Sequence, residues 1–358
     1  MKLNATQILE QIIATGASDL HLCVGAPPYI RVKTVLKPME NMPVLTIDDL
    51  EYFLSQIVDT QQREILEINK ELDFSVALGN KARFRVNAFF QKGYPALAMR
   101  YIPMHVPTLA ELNLPPYIAN LCNIKQGLIL VVGPTGHGKS TTLAAMIDQI
   151  NGSRSEHIVT IEDPIEYVFT NKLSLINQRE MYLDSHSWDV SLKSALRQDP
   201  NVVLIGEMRD AETIAAVLQI AESGHLVFAT LHTNSAAQSV ERIIASFPNE
   251  KQNEVRSQLA QVIEVVISQR LIPSPSKGVL PALEILLATD AVKNLVREGK
   301  GFMLDNIIST SSQLGMVSLE RSLAMMVNRG EVEFLEAIKY APRGAEFKRL
   351  VDSKFQKE

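Results

Sequence analysis

Three glycines, a lysine and a serine stand within eight residues as Gly133-Pro134-Thr135-Gly136-His137-Gly138-Lys139-Ser140, followed by Thr141. Their types and order suit one piece of chemistry, the holding of a polyphosphate. Glycines let the backbone turn its N–H groups inward on an anion, and a helix that starts near Lys139 aims the positive end of its dipole at the same charge. Lys139 is expected to reach the β- and γ-phosphates of a triphosphate and the Ser140 hydroxyl to ligate Mg²⁺, with Thr141 as a first-turn neighbour. His137 fills a variable position of the pattern and is given no chemical role. An uncharged apolar run at 128–132 precedes the loop and a helical pattern follows it, which is the context a phosphate loop requires.

In an open parallel sheet, ligands bind outside the carboxyl ends of the strands, so the residues after each strand decide the chemistry. Strands are expected at 128–132, 158–161, 202–205 and 226–231, and helices at 141–150, 190–197, 211–222 and 236–247. Near-continuous apolar strands between amphipathic helices predict an α/β fold with a parallel sheet covered on both faces. Glu162, Asp163 and Glu166 follow the second strand, Glu207 the third and His232 the fourth. Glu207 closes an apolar strand, from which it can hold Mg²⁺ through water or orient an attacking water. One of Glu162, Asp163 and Glu166 is expected to be a general base or water positioner, the alternative being turn residues or helix caps. His225 and His232 flank one strand about 23 Å long, so they cannot share a phosphate. His232, at the carboxyl end, is the candidate γ-phosphate sensor, and His225 is structural or at a subunit contact.

The amino-terminal part reads differently. Ile8, Leu9, Ile12 and Ile13 fall at helical spacing, helices are expected at 47–57 and 61–68, and strands at 19–24, 29–32, 72–78, 82–90 and 96–102. This is a small α+β domain, residues 1–102. Four prolines in 103–116 make that segment a linker, and 117–358 form the second domain, mostly helical beyond residue 250 apart from one strand at 282–287. Arg83 and Arg85 lie two apart in a strand and share a face opposite Phe84 and Val86, while Arg100 closes the next strand. They form either a solvated face or arginine fingers for a γ-phosphate.

With 358 residues the chain suits two domains, and 46% hydrophobic with 21% charged residues is a globular balance. A net charge of −5 gives no support to a nucleic-acid partner. Only Cys23 and Cys122 are present, which excludes a disulfide framework and a four-cysteine zinc site. No signal peptide or membrane span is legible, so a cytoplasmic protein is expected that touches membranes only through a partner.

Residues 133–141, 160–167 (Thr-Ile-Glu-Asp-Pro-Ile-Glu-Tyr), 204–210 (Leu-Ile-Gly-Glu-Met-Arg-Asp) and 224–233 (Gly-His-Leu-Val-Phe-Ala-Thr-Leu-His-Thr) resemble the Walker A, Asp, Walker B and His boxes of the type II/type IV secretion ATPase superfamily. Residues 16–21 and 82–87 resemble the amino-terminal domain of its twitching-motility branch, the pilus retraction ATPases. The resemblance implies a RecA-like P-loop ATPase domain behind a smaller PAS-like α+β domain, ATP and Mg²⁺ as cofactors, and a homohexamer in which Arg83, Arg85 and Arg100 complete a site between domains. It also implies a place at the inner membrane through a pilus platform protein, with a paralogous retraction ATPase as a further partner. Residues 291–298, Ala-Val-Lys-Asn-Leu-Val-Arg-Glu, resemble the A-I-R-N-L-I-R-E motif that retraction ATPases need; periodicity alone makes them a core-facing helix. Pilus retraction by ATP hydrolysis is thus the expected function. The rivals are a nucleotide-binding accessory subunit and a DNA-translocating motor, the latter disfavoured by the acidic balance.

Overall fold

The structure is a computed structural model that describes residues 3–32, 35–79, 81–103 and 105–352; the expected domain ends at 1–2 and 353–358, and Met104 of the expected linker, lie outside the described residues. Contacts divide the chain into two compact units, Met1–His105 with Glu166–Val168, and Val106–Ile165 with Phe169–Glu358.

The first unit runs α1 (Ala5–Thr15), β1 (Asp19–Cys23), β2 (Tyr29–Val32), β3 (Val35–Pro38), α2 (Ile47–Ile57), α3 (Thr60–Asn69), β4 (Glu71–Leu78), β5 (Ala82–Gln91) and β6 (Tyr94–Pro103). Its six strands pair in the order β3-β2-β1-β6-β5-β4. Every pairing is antiparallel. Alternation puts Leu20, Leu22, Phe84, Val86, Leu97 and Met99 on one face, where they are buried with Ile8, Leu9 and Ile12 of α1 and Phe53 and Leu54 of α2. Strand β3 carries no such pattern, because all four of its residues are exposed.

The second unit runs α4 (Ile118–Leu121), β7 (Gly127–Val132), α5 (Lys139–Ser153), β8 (His157–Glu162), β9 (Leu175–Glu180), α6 (Trp188–Ala195), β10 (Val202–Ile205), α7 (Ala211–Glu222), β11 (Leu226–Leu231), α8 (Ala236–Ala245), α9 (Asn249–Val262), β12 (Ile263–Ser274) and β13 (Gly278–Leu287). Helices α10 (Asp290–Arg297), α11 (Leu304–Thr310), α12 (Leu319–Asn328), α13 (Phe334–Ala337) and α14 (Gly344–Leu350) follow. The sheet order is β13-β12-β7-β11-β10-β8-β9. Its pairings are parallel except between β12 and β13.

The uncharged run of β7 is explained by burial on both sides. Leu128, Leu130 and Val132 face a core shared with α7, α8 and α9. Ile129 and Val131 face the other, shared with Leu143, Met146 and Ile147 of α5. Each such side chain contributes about 1.5–3 kcal/mol relative to exposure. Leu109 and Leu114 of the proline-rich segment are buried in this second core.

One expectation for the region past residue 250 is corrected. After α9 it holds not one strand but two, and β12 is 12 residues long. Pairing with β7 on one side and β13 on the other forms a strand through Ser268-Gln269-Arg270, whose polar types hide the pattern. Where β12 and β13 pair alone, Ile272, Leu280 and Ala282 pack into a cluster with Leu319, Leu323 and Phe347 of the terminal helices. No helix among the described residues is long and apolar enough to cross a membrane.

Candidate nucleotide site

The phosphate loop joins β7 to α5, and its glycines answer particular constraints. A Cβ on Gly133, at φ +146°, would lie 2.4 Å from the Gln269 carbonyl oxygen, so no side chain fits. Gly138 sits in the left-handed region at φ 76° and opens α5 without a side-chain cap, which leaves the first amides of the helix to an anion. Lys139 is 7% exposed. Its Nζ donates to the carbonyls of Gly133 (2.9 Å) and Pro134 (3.0 Å) and lies 3.2 Å from His232 Nδ1. Thr135 Oγ1 is 3.3 Å from the same ring nitrogen.

From Lys139 an unbroken chain of polar contacts crosses the carboxyl ends of three further strands. An ammonium only donates, so His232 Nδ1 accepts and Nε2 carries the ring proton. That nitrogen is 3.1 Å from Glu207 Oε1. Glu207 Oε2 accepts from Arg209 Nε at 2.8 Å, and Arg209 Nη1 donates to Asp163 Oδ2 at 3.2 Å. The hydrogen bond that Arg209 donates to Glu207 and the charges of both acids hold its guanidinium above its ordinary pKa. Lys139, His232, Glu207 and Asp163, four of the residues singled out in the sequence, are thereby brought together, and Arg209 is the connector that sequence reasoning passed over although it stands two residues after Glu207.

The remaining candidates separate. Ser140 and Thr141 are half-buried in the first turn of α5. Glu162 is buried, and its Oε1 accepts from Thr160 Oγ1 (2.7 Å) and Gln178 Nε2 (3.3 Å), so this carboxylate fastens β8 to β9. Glu166 falls in the short stretch that clusters with the first unit. His225, at the far end of β11, bonds to Ser223 and the Ile220 carbonyl, a local structural role. His137 has a partner that its variable position did not suggest: its Nδ1 accepts from the Leu271 amide at 2.9 Å. Burial first, then Arg270 and Lys139, hold its pKa down, which keeps that nitrogen free to accept.

In the first unit the arginines form a row. Register aligns Arg31, Asp19, Arg100, Arg85 and Ser75 across β2, β1, β6, β5 and β4. Phe84 and Val86 are buried behind them. Asp19 is the one carboxylate in the row, 3.0 Å from Arg100 Nε and 3.6 Å from Arg31 Nε. Burial pushes its pKa up, but hydrogen bonds from Ser18 and Arg100 and the two cations outweigh that and hold it down. Arg85 and Arg100 are directly opposed like charges, an arrangement that destabilises a bare sheet and favours an anion on that face.

Behind the phosphate loop, a cleft of about 530 Å³ is lined by His137, Asn234, Arg270, Glu284, Glu320 and Arg343 among others. Glu284 is 6% exposed and accepts from the Ala236 amide at the start of α8, at 2.7 Å. Burial first, then Asp305 and Glu320, push its pKa from 4.5 up to about 7. A folded-state pKa above the unfolded one means that stability is fully present below about 4.5 and is lost as pH rises through about 7. Glu284→Gln keeps the acceptor and removes the charge. It is expected to match the parent at pH 4.5 and to exceed it at pH 8 by up to about 3 kcal/mol. Urea unfolding at both pH values checks this; an equal difference at both would show that Glu284 does not titrate in the folded protein.

The chain resembles known proteins along most of its length. The type IV pilus retraction ATPase PilT of Pseudomonas aeruginosa is 44% identical over 328 residues, covering 92% of this chain and 95% of that protein. The type IV pilus ATPase PilU of the same organism is 36% identical over 346 residues, covering 96% and 90%. A crystal structure of the pilus retraction motor PilT with bound ADP superposes with a TM-score of 0.90 at 42% identity, over 98% of this chain and 99% of that one. The sequence model of type II/IV secretion system proteins matches residues 1–303, and with relatives that run the length of the chain this protein belongs to that family.

Proposed function

We propose that this ATP hydrolase is a motor that couples Mg-ATP turnover around a homohexamer to retraction of type IV pili and twitching motility. The observation that carries the reading is the relay from Lys139 through His232, Glu207 and Arg209 to Asp163, which ties the phosphate loop to three other strand ends. A relay of this kind gives a γ-phosphate a lever on several loops at once. For Mg²⁺ the donor set fits: the Ser140 hydroxyl and the Glu207 carboxylate are oxygen ligands, and this ion needs only one or two protein oxygens beside phosphate and water. Bound there, it would neutralise phosphate charge. In the cell the motor works at the cytoplasmic face of the inner membrane through a platform protein, alone or with a paralogous ATPase.

The arginine row supports a site completed in trans, since Arg85 and Arg100 lack an acid between them. Replacing both by alanine is expected to lower ATP turnover about 10³-fold with the hexamer intact. Steady-state hydrolysis with sizing by light scattering checks this, and parental turnover would reduce the row to a solvated face.

Helix α10 supplies the link to motion. Thr289 caps it, and Val292 and Val296 are buried. Arg297 and Glu298 are exposed, Arg297 bonding to Asn294 at 2.7 Å, while Lys293 is tied to Glu264 at 2.8 Å. The core-facing and partner-facing readings therefore describe two faces of one helix. A strain lacking the gene should regain pilus retraction with the parental chain but not with Arg297→Ala, while the purified variant hydrolyses ATP at the parental rate. Restored retraction by Arg297→Ala would return the helix to packing alone, and a parental chain that hydrolyses no ATP by itself would favour the accessory-subunit reading.

A further inference from the structure

Strand β12 runs beside β7, and its side chains alternate between the phosphate loop and the loop after β11. Gln269, 2% exposed, faces the phosphate loop. Its Nε2 donates to the His137 carbonyl and its Oε1 accepts from Thr142 Oγ1, both at 2.8 Å. The next side chain faces the other way. Arg270 Nη2 donates to both the carbonyl and the Oδ1 of Asn234, each at 3.1 Å, and Ser268 Oγ donates to the same carbonyl at 3.2 Å. Asn234 is two residues from His232, the imidazole that joins Lys139 to Glu207.

Arg270 is a poor stabiliser where it stands. Burial pushes its pKa down, and the charge of Glu284, which favours its ionised form, sits on a carboxyl that burial itself pushes toward neutrality. Its Nη1 is shut off from solvent with no hydrogen-bond partner, which is a cost to stability. A half-buried cation with one nitrogen left unpaired is better explained by what it holds than by stability. What it holds is the loop that carries His232.

We propose that Arg270 is a positioning residue for ATP hydrolysis: by gripping Asn234 it fixes His232 between Lys139 and Glu207, while Gln269 independently fixes the phosphate loop. The inference rests on the ATPase reading. It divides the work of two adjacent residues, so it makes opposite demands on their kinetics. Loss of the Arg270 grip leaves nucleotide binding to the intact phosphate loop and misplaces the imidazole; displacement on the order of 1 Å costs about 10²-fold in rate. Loss of Gln269 loosens the loop that binds phosphate.

The test is steady-state ATP hydrolysis by the full-length protein and five variants: Arg270→Gln, Arg270→Lys, Asn234→Ala, the Arg270→Gln/Asn234→Ala double variant, and Gln269→Leu. Arg270→Gln is expected to lower kcat about 10- to 100-fold with KM for ATP within about twofold of the parent, whereas Gln269→Leu raises KM about tenfold. Arg270→Lys, which keeps the charge without the planar fork, recovers part of kcat. Asn234→Ala lowers kcat by a smaller factor, because the backbone carbonyl still accepts from Arg270, and the double variant is no slower than Arg270→Gln, because the bond to Asn234 Oδ1 is already lost there. A raised KM with parental kcat in Arg270→Gln, or effects that multiply in the double variant, would overturn the proposal. If Arg270→Gln fails to fold, Asn234→Ala decides alone, and parental kcat there overturns it as well. A parental chain without ATPase activity would instead sink the reading on which the proposal rests.

Discussion

Lys139→Ala is expected to abolish ATP turnover, lowering kcat by about 10³-fold or more while the fold survives. The side chain donates directly to the phosphate loop's own carbonyls, at 2.9 Å from Gly133 and 3.0 Å from Pro134. An ammonium held beside the loop is where charge develops on a γ-phosphate during transfer, and the removal of one such aimed donor costs about 10²–10³ in rate. Here the loss is larger, because His232 Nδ1 accepts from the same ammonium at 3.2 Å and loses the partner that sets its tautomer. The fold tolerates the change because alanine at this position buries no unpaired charge and the helix that follows is anchored by Leu143, Met146 and Ile147. A phosphate-release assay with saturating Mg-ATP reads the turnover, and thermal unfolding reads the fold. Turnover within tenfold of the parent would mean that Lys139 is a structural strut of the loop and that the charge on the phosphates is met elsewhere.

The parts of this site that could be read from the sequence are those whose signal is local. The glycines, Lys139 and Ser140 stand in one short run, and each acid or imidazole of the relay follows directly on an apolar strand, so strand, turn and chemistry occur together within a few residues. The parts that could not be read depend on pairing between distant segments. Gln269 and Arg270 lie in a strand whose polar residues are covered because β7 and β13 flank it, and it is this pairing that brings Gln269 to the His137 carbonyl and Arg270 to the Asn234 carbonyl. Glu284 looks like an ordinary charged residue until burial gives it an unusual pKa.

The opposition of Arg85 and Arg100 is an intermediate case. Lys92 and Gly93 both adopt positive φ, 52° and 83°, as the two central residues of the tightest hairpins do. That turn pairs Gln91 with Tyr94, and counting back along both strands brings Arg85 opposite Arg100. The Lys92-Gly93 dipeptide thus carried the register of the arginine row, although a lysine at the first turn position is a weaker signal than asparagine or aspartate. The core face of helix α10 was legible for a similar reason, since the helical spacing that buries Val292 and Val296 is a short-range feature.

Glu207→Gln is expected to retain ATP binding and to lower hydrolysis about 10²- to 10⁴-fold, the range that a positioned base or water-orienting carboxylate contributes. Both of its oxygens now face donors, His232 Nε2 at 3.1 Å and Arg209 Nε at 2.8 Å. Glutamine has one acceptor oxygen, so its amide N–H₂ must meet either the imidazole N–H or the guanidinium, and the relay breaks on one side. If the amide turns toward His232, the ring loses its orientation; if it turns toward Arg209, the tie to Asp163 at 3.2 Å loosens. The phosphate loop is untouched in either case, which is why binding persists. Comparison with the other acids assigns the roles. Glu162→Gln should act through folding, because that carboxylate is committed to Thr160 and Gln178. Glu166→Gln should bind ATP and lose hydrolysis if the residue supplies the general base, leaving Glu207 to orient the water or the metal. Single-turnover measurements with binding of a fluorescent ATP analogue separate these outcomes. A Glu207→Gln protein that hydrolyses ATP at the parental rate would remove the relay from the mechanism and leave the orienting of water to another acid.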